Sequence, residues 1–301
     1  MPLIEKAGFQ AIPLWTNVAA HLNAHDEIRC IAKALGAENK ADWLIADHYL
    51  IDHKWESASK TIANRIMVID DLANRSHSCD LLLDQNLGRK STDYRKLVSN
   101  HTKLLIGPQY ALLRPEFHQH RLDSIGRRKD DRLHRILVNM GGTDPGNLTA
   151  SVLCALAKAK LSPHLKVSVI LGTSSPWVSA IQALVCKLNL TINLFIGVNN
   201  MATHMSESDL AIGASGSSSW ERCCLGLPSL IVVLADNQRE IAQALHQSNA
   251  ALLIDSENLS IELDNFFSKQ KADGQLLPKM SGFARQITDG LGVSRVLKQL
   301  N

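Results

Sequence analysis

Residues 136–160 read ILVNMGGTDPGNLTASVLCALAKAK, and this stretch decides the fold. Its first residues, Ile136–Asn139, form a short apolar run that predicts a buried strand. The two glycines that follow permit a tight turn, and Thr143 and Asp144 stand where a helix needs an N-cap. The next residues, Leu148–Lys160, have a helical pattern. The stretch is therefore predicted to be one strand–turn–helix unit.

The same alternation of strand and helix extends outward through the chain. Such alternation, with β-branched strands, is typical of an α/β fold in which helices cover both faces of parallel sheets. Ligands of these folds bind outside the carboxyl ends of the strands. The other predicted strands are Trp43–Asp47, Ile66–Asp70, Leu81–Asp84, Lys103–Ile106, Val167–Leu171, Ile192–Phe195, Leu210–Ile212, Leu230–Val233 and Leu252–Ile254. The other predicted helices are Pro176–Leu188, Ser218–Leu225, Glu240–Gln247 and Ser281–Leu300, the last with a glycine-rich interruption.

The length of 301 residues indicates two domains, at about 150 residues per domain. The charged stretch RLDSIGRRKDD at residues 121–131 has no apolar periodicity and interrupts the alternation. We interpret it as the linker between two Rossmann-like domains, residues 1–122 and residues 132–301. An ordinary solvated helix end is the alternative, but the series of strands on both sides favours a linker.

Composition excludes several classes of protein. The net charge of +3 is small, and no basic run with interleaved aromatic residues indicates nucleic-acid binding. The longest apolar run, Leu227–Ala235, is too short for the ~20 residues of a membrane span. The six cysteines form no CxxC pair, which indicates a reduced, cytoplasmic protein. We therefore expect no nucleic-acid partner and no membrane association.

A first candidate binding loop is formed by Gly141, Gly142, Thr143 and Asp144, directly after a predicted strand. Glycines there allow the backbone to approach a ligand closely. The loop is not a phosphate-binding P-loop, because the Gly-Lys-Ser/Thr sequence is missing. A plain turn with a helix cap is the alternative.

A second candidate loop consists of the small residues Gly213–Ser219, which follow a predicted strand and open a helix. Backbone N–H groups exposed at a helix start favour an anion such as a diphosphate. Glu221 lies in the first helical turn, where its carboxylate can accept hydrogen bonds from both hydroxyls of a ribose. The alternative role of Glu221 is a favourable charge–dipole interaction with the helix.

Further polar residues stand near predicted strand ends or before the linker. The amides of Asn237 and Gln238 can bind sugar hydroxyls or phosphate oxygens, or belong only to a capping turn. Arg114 can bind a phosphate or a sugar, or form an ion pair with Glu116 or a domain-interface aspartate.

Two more strand ends carry titratable residues. The run Asp-His-Tyr at residues 47–49 cannot direct all three side chains into one pocket, and we expect the histidine to be structural. Asp70 and Asp71 form a carboxylate pair. Because no other metal-like spacing accompanies the pair, we expect capping and hydrogen bonding there, and no metal ion.

Six motifs together resemble, in order, a known family: the UDP-2,4-diacetamido-2,4,6-trideoxy-β-L-altropyranose hydrolases of pseudaminic acid synthesis. They are WLIADHY (43–49), VIDDLANRSHSCDLLLDQN (68–86), LIGPQYALLRPEF (105–117), ILVNMGGTDPGNLT (136–149), DLAIGASGSSSWERCCLGLPSL (209–230) and ADNQ (235–238). The resemblance implies the GT-B architecture, in which two Rossmann-like domains with parallel sheets face a cleft. It also implies hydrolysis of a UDP-linked diacetamido-trideoxy sugar by water, with inversion at the anomeric carbon and without a metal or cofactor.

The resemblance also implies roles for individual residues. UDP would lie against the C-terminal domain, with its ribose held by Glu221. Asn237 would lie near the reacting carbon, and Tyr49 and Arg114 would reach the cleft from the N-terminal domain. The remaining residues implied to bind substrate are Gly141, Gly142, Thr143, Asp144, Gly216, Ser217, Ser218 and Gln238.

The sequence departs from the family pattern in one respect. The catalytic base of the family is a histidine in a Gly-x-Gly-His-x-x-Arg loop, and no Gly-x-Gly-His occurs in the 301 residues. The opening residues, Pro2–Phe9, resemble the middle of a βα unit, so we expect the first βα unit to be absent, by a misassigned start rather than a genuine truncation. A chain that truly begins at Met1 is expected to bind the substrate with little hydrolysis.

Two alternatives to the hydrolase are kept. One is a GT-B glycosyltransferase or an epimerase that uses a UDP-sugar, and the other is a binding protein without turnover. Because no coiled-coil pattern or apolar interface is evident, we expect a monomer.

Overall fold

A computed structural model of the chain describes residues 2–12, 24–36, 40–159 and 161–301. The chain folds into two compact units. Unit 1 runs to Asp84 and also includes Arg89–Ile106 and Leu300. Unit 2 contains Gln85–Gly88, Gly107–Gln299 and Asn301.

Unit 1 is built on a parallel sheet with the strand order β1-β2-β3-β4. Alternate strand residues such as Ile66, Val68 and Leu82 are fully or almost fully buried and form its core. Its described elements are α1 (Pro2–Lys6), α2 (Ala24–Leu35), β1 (Ala41–Ala46), α3 (His53–Ser59), β2 (Ala63–Ile69), β3 (Leu81–Asp84), α4 (Ser91–Tyr94) and β4 (Lys103–Ile106).

A buried polar network ties β2 to β3 in unit 1. The Tyr94 hydroxyl lies 2.9 Å from Asp70 Oδ2 and 2.8 Å from Asp84 Oδ2. Each carboxylate also has its own arginine, because Arg75 lies 2.7 Å from Asp70 and Arg89 lies 2.9 Å from Asp84. The buried charges of this network are therefore paired and hydrogen-bonded.

Unit 2 is built on a larger parallel sheet with the strand order β10-β9-β8-β5-β6-β7. Its strands are β5 (Arg135–Asn139), β6 (Lys166–Leu171), β7 (Thr191–Ile196), β8 (Leu210–Ala214), β9 (Ser229–Val232) and β10 (Ala251–Leu253). Its described helices are α5 (Pro115–Arg127), α6 (Leu148–Lys158), α7 (Val178–Val185), α8 (Met201–Ser206), α9 (Ser218–Cys224), α10 (Arg239–Gln247), α11 (Leu259–Ala272), α12 (Leu276–Ile287) and α13 (Gly292–Leu300), with 3-10 turns at Pro108–Tyr110 and Asp236–Gln238.

Both faces of β5, in the middle of the second sheet, are buried. Ile136 and Val138 belong to one apolar cluster, whereas Leu137, between them on β5, belongs to another. This explains why the strand is continuously apolar rather than alternating. The α/β prediction with two parallel sheets is confirmed, and every predicted strand is present with small shifts at its ends. The predicted helix end at Lys160 lies outside the described residues.

The structure divides the chain earlier than the predicted linker at residues 121–131. Residues up to 127 of that stretch belong to α5, and unit 2 already includes Gly107. The physical reason is burial, because Phe117 on α5 is fully buried in a core cluster of unit 2. Arg121 donates hydrogen bonds to the carbonyls of Thr288 and Arg285, which holds the charged segment on the unit. The charged side chain of Arg121 in this segment therefore anchors helix α5 to the rest of unit 2.

Removing the phenol of the unit 1 network should destabilise the fold. In Tyr94→Phe, the single hydroxyl proton that two buried carboxylates share is lost, and we expect the free energy of unfolding to fall by about 1.5–3 kcal/mol. Chemical denaturation followed by circular dichroism measures the change. Tyr110→Phe is the control, since the structure gives the Tyr110 hydroxyl no side-chain hydrogen bond within the described residues. Equal stability of the two variants would contradict the network.

Gly172, just after β6, should tolerate no side chain. A Cβ atom at this position would collide with the carbonyl oxygen of Gly142. We expect Gly172→Ala to reduce the free energy of unfolding by about 1–3 kcal/mol and to displace residues 141–144. Gly146→Ala is the matched control, because its Cβ would meet nothing within 4 Å. Thermal melting of both variants checks this, and a Gly172→Ala protein as stable as the control would show that the loop is not packed there.

Candidate functional site

The site of unit 2 is set by the order of its strands. β5 pairs with β6 on one side and with β8 on the other, so the strand order reverses at the β5–β8 pair. Asn139 is in register with Gly213, and the loops after these strands therefore start side by side. A crevice outside the carboxyl ends at such a reversal is where ligands bind in open α/β sheets.

The first loop, residues 141–144, presents backbone and one hydroxyl. Gly141 has a φ of +87°, and Gly141, Gly142 and Thr143 are exposed. Asp144 is buried instead, and its two carboxylate oxygens accept hydrogen bonds from the N–H groups of Leu148 and Thr149 at 2.8 and 2.9 Å. Both Asp144 oxygens therefore serve the start of α6. This is the capping role that the sequence left open as the alternative.

The second loop joins β8 to α9. Ser215 is anchored, since its N–H donates to the Val232 carbonyl and its hydroxyl to the Gln238 carbonyl. Gly216 and Ser217 follow, and the structure gives their N–H groups no backbone acceptor among the described residues. The Ser217 side chain is exposed and that of Ser218 is half-buried. This loop can therefore offer backbone N–H groups and hydroxyls to an anion.

Glu221 lies one turn into α9 and is half-buried. Within the described residues the structure gives its carboxylate no hydrogen bond. Burial raises the pKa of Glu221, while the charges of Arg114 and Arg222 oppose the rise. A desolvated carboxylate without a hydrogen-bond donor is an acceptor to which a ligand can supply the donors.

Arg114 lies in unit 2, whereas the resemblance implied that it belongs to the N-terminal domain. Its guanidinium lies 2.9 Å from Glu116 and donates to the Asn199 carbonyl at 3.2 Å. The sequence left open whether Arg114 binds a ligand or forms an ion pair with Glu116. The structure contains this ion pair. Arg114 still acts on Glu221 through its charge.

The third loop forms a 3-10 turn at Asp236–Gln238, after β9. The side chain of Asn237 is exposed. That of Gln238 is partly used, because its Oε1 accepts a hydrogen bond from the Leu234 N–H at 3.1 Å. Since β9 pairs with β8, the loops at 141–144, 215–219 and 236–238 follow three adjacent strands of one sheet.

Tyr49 belongs to unit 1, after β1. It is exposed, and its hydroxyl donates to Asp71 Oδ2 at 3.1 Å. Burial raises the pKa of Asp71, and the hydrogen bond from Tyr49 opposes the rise. Arg75 donates to the Ile51 carbonyl at 2.8 Å, which holds the end of this loop near the buried network of unit 1. Asp70 and Asp71 therefore have hydrogen-bonding roles in the structure.

Arg222, the residue after Glu221, has no role in any of the sequence motifs described above. Its side chain is buried beneath the second loop and donates to the Ala214 carbonyl at 2.8 Å and to Ser219 Oγ at 2.9 Å. The only signal in the sequence is a charged residue beside the apolar Cys223. That pattern indicates burial on a short helix without indicating what the charge does.

Membrane spans and metal clusters are both absent from the described part of the chain. None of the helices in these ranges is both long enough and apolar enough to cross a membrane. No three histidine, cysteine, aspartate or glutamate side chains within the same ranges are arranged to hold a metal ion.

Known proteins match both the sequence and the fold. Residues 136–285 match the glycosyltransferase family 28 C-terminal domain. The chain is 29% identical over 208 residues to the spore coat polysaccharide biosynthesis protein SpsG of Bacillus subtilis, which covers 67% of this chain and 59% of SpsG. The fold is similar to that of MurG from Acinetobacter baumannii, with a TM-score of 0.68 at 18% identity over 99% of this chain and 87% of MurG. MurG and several other structural neighbours are GT-B glycosyltransferases.

A further relative has an assigned reaction. The chain is 30% identical over 226 residues to the UDP-2,4-diacetamido-2,4,6-trideoxy-β-L-altropyranose hydrolase of Campylobacter jejuni subsp. jejuni. The match covers 75% of this chain and 75% of the relative. The chain therefore belongs to the family of UDP-2,4-diacetamido-2,4,6-trideoxy-β-L-altropyranose hydrolases.

Proposed function

We propose that the protein binds a UDP-linked diacetamido-trideoxy sugar and hydrolyses the bond between the anomeric carbon and the phosphate oxygen. The observation that carries the proposal is Glu221, a half-buried carboxylate without a hydrogen bond among the described residues. It stands beside the second loop at the strand reversal of unit 2, in a chain of this hydrolase family.

The chemistry of UDP fits the groups of unit 2. The two ribose hydroxyls would donate to the carboxylate of Glu221, which would supply the hydrogen bonds that this group lacks. The diphosphate oxygens would accept from the N–H groups of Gly216 and Ser217 and from the hydroxyls of Ser217 and Ser218. Gly141, Gly142 and Thr143 would line the same ligand with backbone and a hydroxyl. Asn237 and Gln238 would bind the sugar side.

The reaction needs a nucleophile, a base and a stabilised leaving group. A water oxygen forms the new bond to the anomeric carbon as the bond to the phosphate oxygen breaks, and the electron pair leaves with UDP. The attacking water gives up one proton, which solvent water accepts where no side-chain base does. Donors fixed around the phosphates stabilise this developing charge. Tyr49 and Asn237 keep the supporting roles that the resemblance implies. The base of the family has no counterpart in the 301 residues, so binding and hydrolysis require separate measurements.

The family 28 domain match keeps a second candidate function open. Residues 136–285, which match that glycosyltransferase domain, contain all the UDP-binding groups proposed here. A transferase would use the same half-site but would pass the sugar to an acceptor rather than to water. Binding without turnover is the third outcome that an assay must distinguish.

Removing the carboxylate of Glu221 should weaken UDP binding. Two charge-assisted hydrogen bonds to a ribose contribute on the order of 1.5–3 kcal/mol, so we expect Glu221→Ala to lower the affinity about 10- to 100-fold. Isothermal titration with UDP measures this, and Glu257→Gln, at an exposed acid of the same unit, is the control. An unchanged affinity in Glu221→Ala would place the ribose elsewhere.

Release of UDP without an acceptor tests the reaction itself. Because the 301 residues hold no counterpart of the family base, we expect the purified chain to release UDP and free sugar from the UDP-linked diacetamido-trideoxy altrose only slowly. A coupled UDP assay and NMR of the anomeric proton follow this release. Asn237→Ala should slow release about 10-fold or more if it acts near the reacting carbon. Release only after an acceptor is added would favour the transferase. Tight UDP binding with no release would leave a binding protein.

A further inference from the structure

We propose that Arg222 is the fixed positive charge of a diphosphate subsite and that it acts on the ligand through the hydroxyl of Ser218. This inference rests on the proposed binding of UDP and extends it. According to this proposal, the buried side chain of Arg222 makes the protein bind a nucleoside diphosphate more tightly than a nucleoside without phosphates.

The contacts of Arg222 place its guanidinium under the second loop. Only 2% of the residue is exposed. Besides its bonds to Ala214 and Ser219, its Nη1 donates to Ser218 Oγ at 3.3 Å. A Cβ built on Gly213 would lie 3.0 Å from Nη1, so the guanidinium also packs against the end of β8. The charge is therefore held against the segment on both sides of Gly216.

This charge has no anionic partner that touches it among the described residues. Its acceptors are one carbonyl and two hydroxyls, and its Nε has no hydrogen-bond partner in these ranges. Glu221 favours the charge through space, but no ion pair between the two is present in the same ranges. Burial lowers the pKa of Arg222, yet a guanidinium remains protonated in proteins. Burying a charge without a counter-ion destabilises the fold, and an anionic ligand would offset that effect.

Arg128 provides an internal comparison, because it is the other strongly buried arginine described in unit 2. It donates to the carbonyls of Ser124, Met205 and Ser206. Two of these carbonyls lie at the carboxyl end of α8, where unpaired carbonyl groups carry partial negative charge. The Nε of Arg128 also has no hydrogen-bond partner in the described ranges. The difference lies in the acceptors, which are three carbonyls for Arg128 but one carbonyl and two hydroxyls for Arg222.

The hydroxyl of Ser218 connects the buried charge to the surface. An oxygen that accepts a hydrogen bond from Arg222 keeps its own proton for donation elsewhere. Ser218 is half-buried, and therefore part of it faces solvent, whereas Ser219 is buried. Helix α9 has only seven residues, so the guanidinium rather than a long helix dipole supplies the fixed charge. A phosphate oxygen at the loop would accept from Ser218 while Arg222 polarises that hydroxyl.

The experiment compares uridine, UMP and UDP as ligands of the purified chain by isothermal titration. We expect the wild-type affinity to rise from uridine to UDP. Arg222→Met should lower the UDP affinity about 10-fold or more and change the uridine affinity less than about twofold. Ser218→Ala should lower the UDP affinity a few-fold in the same selective way. Arg128→Met, the matched control, should lower stability without changing the ratio of UDP to uridine affinity.

Several results would overturn the inference. An equal loss of uridine and UDP affinity in Arg222→Met would show a purely structural role. If that variant fails to fold, Ser218→Ala and the wild-type ligand series decide. A wild-type protein that binds UDP no more tightly than uridine refutes the charged subsite while leaving nucleotide binding in place. Failure of the wild type to bind either ligand would refute the proposed function itself.

Discussion

The close pairing of β5 with β8 is the constraint on which the rest of unit 2 depends. Asn139 and Gly213 are in register, and a Cβ atom on Gly213 would lie 2.5 Å from the Asn139 carbonyl oxygen. Only glycine fits so near to the neighbouring backbone. The chain leaves both strands at the same level, so two glycine-containing loops emerge next to each other. The third loop follows because β9 pairs with β8. Backbone packing between the strands therefore sets where the three loops of the site begin, independently of their side chains.

Buried charge is handled differently in the two units. In unit 1, the carboxylates of Asp70 and Asp84 each have an arginine and share the phenol of Tyr94, so the fold itself neutralises them. In unit 2, Glu221 and Arg222 are desolvated side by side, and the structure joins them by no ion pair within the described residues. Paired burial is typical of structural networks, whereas burial of a charge without a counter-ion in contact is more common at functional sites.

Much of this arrangement could be predicted from the sequence, because apolar strand runs and glycine turns are local signals. The sequence predicts the strand Ile136–Asn139 and the turn after it, and β5 in the structure differs from this strand by one residue at its start. Three other features depend on tertiary contacts and could not be predicted from the sequence. The charged segment at 121–131 contains part of α5 because Arg121 finds carbonyl acceptors far along the chain. Asp144 uses both oxygens on α6, which its residue type does not reveal. The burial of Arg222 depends on the loop folded over it.

The contact between Gly172 and the Gly142 carbonyl has a consequence for how the protein can diversify. Because the backbone of Gly172 packs directly against the backbone of Gly142, the position of the first loop does not depend on the side chains around it. Exposed positions such as Thr143 can then change while the backbone of the loop keeps its shape. Substitutions would accordingly accumulate at the exposed rim of this loop and be excluded from the glycine contact at its base.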